Sequence, residues 1–146
     1  MSDQQVLDDI EQFGWHVIKV FAEGELPAFA YSIGLFKTFK QPEIVIIGLD
    51  LDEMHAIIND IGEEMRKGRR FESKREYSDL LANDVKLRMC AVQEKHYREY
   101  FGYGIWYYKD CNFPILQAVW PAKDGHFPDD PEFPDRLRLR QPLLCD

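Results

Sequence analysis

Trp120, Asp124 and His126 fall within one short segment, V-W-P-A-K-D-G-H-F, where a strand-like run gives way to a turn. An acid and an imidazole two residues apart on a loop can pair for proton transfer, with the acid orienting or charging the ring. Tyr31 and Trp106 are the rings that would wall a small-ligand pocket around that pair. A purely structural account asks less of the same residues: Asp124-Gly125 makes a turn and Trp120 fills core. Ser32, in Y-S-I-G, lacks the G-x-S-x-G elbow of a hydrolase nucleophile, and Gly34 and Gly48 read as places where the sheet kinks or another backbone comes close. The four histidines, His16, His55, His96 and His126, stand apart without metal-ligand spacing. No metal or other cofactor is expected, no catalytic motif is present, and the balance leans against an enzyme.

Charge points elsewhere. The chain has 18 basic and 26 acidic side chains, a formal net charge of −8. Residues 1–60 hold 3 basic and 11 acidic groups and so carry that whole imbalance. A lopsided acidic field steers cationic partners and disfavours nucleic acid or an anionic membrane as the main ligand. Asp8, Asp9, Glu11, Glu23 and Glu25 are the carboxylates expected to meet a basic protein, with nearby aromatic rings as anchors. An immunity or antitoxin protein that masks a toxin or nuclease works this way. The basic run between Arg66 and Arg75 reads as a solvated connection.

At 146 residues the chain predicts one domain, residues 1–146. No stretch reaches the roughly 20 apolar residues of a membrane span, and the amino-terminal M-S-D-Q-Q-V-L-D-D-I has neither a basic start nor an apolar run. Three cysteines, Cys90, Cys111 and Cys145, without C-x-x-C spacing signal neither a disulfide framework nor a zinc site, which suits a reducing, cytoplasmic setting.

Elements follow from periodicity. Ser2 caps a short amphipathic helix through Val6, Leu7, Ile10 and Phe13, stopped by Gly14. Strand patterns run over Trp15–Phe21, Ala28–Leu35, Glu43–Leu49, Asp84–Gln93 and Phe113–Trp120. The Glu43 run is apolar at nearly every position, so a helix should cover it. Asp50 or Asp52 caps that helix, in which Leu51, Met54, Ile58, Ile61 and Met65 keep 3-4-3-4 spacing. The aromatic-rich segment from Glu94 to Lys109 predicts a helix that breaks or bends at its glycines, and the alternating tail Arg136–Pro142 an edge strand or surface trail that could pair two copies. The fold class is α+β, a mainly antiparallel sheet of about five strands with two or three helices packed on it.

Five runs occur in order: F-A-Y-S-I-G-L, Q-P-E-I-V-I-I-G-L, F-G-Y-G-I-W-Y-Y, F-P-I-L-Q-A-V-W-P-A-K-D-G-H-F-P and Q-P-L-L. Together they resemble the bacterial domain-of-unknown-function family numbered 4262, from about Gly14 to Leu144. The family's common form has Thr where this chain has Ser32 and an acid where it has Ala122, so a role for that acid would pass here to Asp124. The resemblance bears on fold and compartment and leaves function open.

Overall fold

The computed structural model describes residues 2–145. Helix α1 (Asp3–Phe13) starts where the Ser2 hydroxyl accepts from the Gln5 amide and ends at Gly14, whose left-handed φ of 103° few other residues adopt. β1 (His16–Val20) and β2 (Phe29–Ile33) form an antiparallel pair, and β2 runs through Gly34 into α2 (Leu35–Phe39), a single turn that strand periodicity conceals. β3 (Glu43–Ile47) leads into α3 (Leu51–Arg66), where Asp50 accepts from the Asp52 and Glu53 amides as the sequence led one to expect.

The second half supplies β4 (Glu76–Tyr77), β5 (Leu87–Ala91), the broken pair α4 (Tyr97–Tyr100) and α5 (Gly102–Tyr108), β6 (Ile115–Val119) and α6 (Asp135–Arg140). Two 3-10 turns lie at Ala82–Asp84 and Glu94–His96.

Among the described residues the sheet has six strands in the order β1-β2-β3-β6-β5-β4. The fold is α+β, but the sheet is mixed. β3 and β6 pair in parallel, with Ile44 opposite Leu116, while every other pairing is antiparallel. A parallel pair needs a long crossover, and here α3, β4, β5, α4 and α5 fill it. Among the described residues six α-helices stand where two or three were expected, because three of the extra ones are too short to show a period.

Side chains alternate across the sheet. Val17, Ala30, Ile44, Ile46, Met89 and Leu116 pack against Met54, Ile58, Ile61 and Met65 of α3. Ile18, Phe29, Tyr31, Ile33, Val45 and Ile115 pack on the other face with Val6 and Ile10 of α1, Tyr97 of α4 and Phe101. Each fully buried Ile or Met contributes about 1.5–3 kcal/mol, so α3, with Met54, Ile58 and Ile61 at 0% exposure, is the main cover of its face.

Three expectations are corrected. The tail forms helix α6 rather than an edge strand, since Arg138 turns back to the carbonyls of Pro128 and Asp130 and so favours a helical path. Beyond it Gln141 and Leu144 are buried. The segment around Arg66 to Arg75 is not merely solvated: Phe71 is buried, and the Arg69 guanidinium holds Asp79 at 2.7 and 2.9 Å and Glu64 at 3.1 Å. Cys90 and Cys145 are joined as a disulfide with Cα atoms 5.9 Å apart, which removes the cysteine argument for a reducing compartment. Of the two readings of the glycines, close approach is the one observed: a Cβ on Gly48 would stand 2.0 Å from the Arg140 carbonyl oxygen, and one on Gly34 2.7 Å from that of Gly14.

Candidate functional site

The residues proposed to wall a small-ligand pocket are dispersed by the sheet. Tyr31 faces the α1 side, where its hydroxyl accepts from the Tyr103 amide at 3.2 Å and its ring meets Phe101. Burial pushes the Tyr31 hydroxyl far above the usual phenol range. Trp106, half-buried on α5, packs on that same side under the Lys109 ammonium. Trp120 lies on the α3 face, its indole N–H donating to the Ile47 carbonyl at 2.7 Å. Asp124 and His126 do come together: Asp124 Oδ1 accepts from the His126 amide at 3.1 Å, and the imidazole sits 2.9 Å from Asp130 Oδ2. That hydrogen bond to Asp130 raises the affinity of the ring for its proton. A shallow hollow of about 380 Å³ beside it is lined by Arg88, His126, Asp129 and Asp130.

A larger cleft, about 970 Å³, opens at the other end of the sheet along β1. Asp9 and Phe13 of α1 border it on one side, and Asp52, His55, Asn59 and Glu63 of α3 on the other. Strand alternation distributes β1 between these walls. Val17 joins the core under α3 and Ile18 that under α1; His16 Nδ1 meets Asp9 Oδ2 at 2.7 Å, and Lys19 Nζ reaches Asp52 at 3.9 Å. Trp15 closes the base, its indole N–H donating to Asn59 Oδ1 at 2.9 Å and its ring lying under the Arg66 guanidinium. Gly62 is required there, because a Cβ on it would strike the Trp15 ring at 2.6 Å. Burial, with the charges of Lys19 and His16, lowers the pKa of His55, so the imidazole favours its neutral form.

Charge concentrates around this cleft. α1 carries Asp3, Asp8, Asp9 and Glu11 with no basic residue, a charge of −4. α3 carries Asp52, Glu53, Asp60, Glu63 and Glu64 against Arg66, also −4. Two large apolar side chains stand at the rim, Phe13 at 59% and Phe21 at 78% exposure. Asp8 and Glu11 are exposed on α1, and Glu23 and Glu25 are exposed in the turn between β1 and β2. The acidic residues singled out in the sequence therefore occupy the helix and hairpin at this end. The α3 carboxylates and the histidines were missed as partners because residues 9, 16 and 55 meet only once the sheet forms.

A second carboxylate centre lies inside the fold. Glu43 is 1% exposed, and both of its oxygens are saturated. Oε1 accepts from Ser32 Oγ at 2.7 Å and the Leu35 amide at 3.1 Å; Oε2 accepts from the Gly34 amide at 2.9 Å, the Phe36 amide at 3.2 Å and the Tyr108 hydroxyl. Burial pushes this carboxyl up, opposed by those donors. Ser32, 1% exposed and also accepting from the Ile44 amide, is thus a strut of the turn into α2 and is closed to substrate.

No group of three or more His, Cys, Asp or Glu side chains is arranged to hold a metal ion among the described residues. Nor is any helix there long and apolar enough to cross a membrane. The fold and cleft define a small α+β protein with an acidic groove at one edge of a mixed sheet. A family model, the domain of unknown function DUF4262, matches residues 9–134, and the chain belongs to that family. No curated protein and no solved structure matches it.

Proposed function

We propose that the protein is a binding module for a basic partner protein, engaged on the acidic surface that α1 and α3 raise around the β1 cleft. The observation that carries this reading is the pairing of two helices of charge −4 across a groove whose rim exposes Phe13 and Phe21. Complementary charge speeds encounter and selects partners, while buried aromatic anchors hold them. A protein that masks a cationic toxin or nuclease needs no more than this, and no reaction is required of it. Native mass spectrometry of the protein isolated from its host, beside its denatured mass, tests the idea. A stoichiometric basic chain is expected on the native protein and absent from a variant combining Asp8→Lys, Glu11→Lys and Glu53→Lys. Equal retention by that variant, or a native mass with no added protein, overturns the reading.

One geometric observation favours a second reading, a small-ligand site at the turn after β6. His126 lies between Asp124 and Asp130, next to the Arg88 guanidinium that lines the same hollow. A bound small molecule that survives in Asp124→Ala and His126→Ala variants excludes this site.

A further inference from the structure

We propose that the partner adds a strand to the open edge of β1, so that an extended basic segment lies in the cleft as a seventh strand between α1 and α3. This rests on the basic-partner reading and specifies how the partner is held.

β1 is the end strand of the sheet: β2 flanks it on one side, and among the described residues no strand flanks it on the other. The opposite end is blunted, since β4 has only two residues, whereas β1 has five, about 17 Å of backbone. An unpaired edge of that length is a template for another chain unless it is covered. Here Val17 and Ile18 are buried, and a cleft lies beside the strand. The cleft reaches α1 side chains through His16 and α3 side chains through Val17 and Lys19, so it runs along the edge and opens to both faces of the sheet.

A strand seated there would send alternate side chains toward α1 and toward α3. Asp9 lines the cleft on the α1 side and Asp50, Asp52 and Glu63 on the other, four carboxylates against the cations Lys19 and Arg66, which stand 3.9 Å from Asp52 and 3.6 Å from Glu63. Basic side chains on the incoming strand would therefore meet carboxylates on either wall, with Phe13 and Phe21 available to its apolar ones. A second copy of this chain is a poor occupant, because pairing two β1 edges would bring four helices of charge −4 together.

The test separates backbone pairing from charge attraction. A capped eight-residue peptide of alternating lysine and valine is titrated into the isotope-labelled full chain and followed by amide NMR. Two further peptides carry backbone N-methyl groups, one on its lysines and the other on its valines. In a strand only alternate residues turn their N–H toward a given neighbour, so one methylated peptide should bind at least about tenfold more weakly while the other stays within about threefold. Amides of residues 17–20 should shift and exchange more slowly with the parent peptide.

If both methylated peptides bind like the parent, and Asp8→Lys with Glu53→Lys weakens all three, strand addition is overturned and the basic-partner reading stands. If the parent does not bind at all, strand addition is likewise overturned, and the host-derived native mass decides the broader reading alone. A dimer in sedimentation with β1 amides protected in the absence of peptide would make a second copy the occupant and also overturn the proposal.

Discussion

Glu43 and Asp9 are both carboxylates close to the amino-terminal half of the sheet, and they do opposite work. Glu43 takes five hydrogen bonds, two of them from the Ser32 and Tyr108 hydroxyls, and keeps 1% exposure. Asp9 meets one imidazole, His16, and its side chain stays 30% exposed at a cleft wall. A carboxylate whose acceptor sites are filled from inside the fold can only hold the fold together; one still wet has capacity left for a visitor. Burial alone therefore does not mark a functional acid here, and the accounting of its partners does.

The comparison can be broken most forcefully at Glu43. Glu43→Gln turns an N–H₂ against donors and leaves buried groups unmatched, and should cost about 3 kcal/mol in urea unfolding; a loss below about 1 kcal/mol would mean the centre is not structural. Tyr108→Phe removes one donor to the same carboxylate and should cost about 1.5 kcal/mol. Asp9→Asn, at the wet centre, should change stability by less than about 1 kcal/mol, and on the proposed reading should weaken binding of a basic partner. A stability loss as large as that of Glu43→Gln would erase the distinction.

The smallest effect concerns His126. Its pKa is raised in the fold by Asp130, so its contribution is fully present below the ordinary histidine value of about 6.5 and fades as pH rises through the raised one. Wild type should therefore melt slightly above His126→Gln at about pH 5.5 and level with it at about pH 8.5. A constant gap across that range would show that the ring acts by packing.

Local pattern revealed what local physics decides. The caps at Ser2 and Asp50, the buried run of β3, the covering helix α3 and the close approaches at Gly34 and Gly48 were all legible. Features whose causes are distant were not. Glu43 reads as the polar start of a strand, because its partner Tyr108 is 65 residues away. The alternation of arginine and leucine after Asp135 has a strand's period, yet Arg138 finds its acceptors in the preceding loop and the helix wins. The sheet order, with β6 inserted beside β3, leaves no trace in any single segment. Of the candidate binding acids, the α1 and hairpin members were visible as a charge imbalance, whereas their α3 counterparts needed the cleft to exist.

The last residues of the chain are bound by carboxamides that take the place of a neighbouring backbone. Gln117, wholly buried in β6, donates to the Pro142 carbonyl at 2.9 Å and accepts from the Leu144 amide at 2.8 Å; Gln141 reciprocates with both backbone groups of Trp120 at 2.9 Å. β6 sits between β3 and β5, so the middle of the sheet has buried polar groups that residues 141–144 satisfy. Clipping the chain ahead of Gln141 would therefore be felt at the centre of the sheet and not at its surface, since it would strip the Gln117 carboxamide and both backbone groups of Trp120 of these partners.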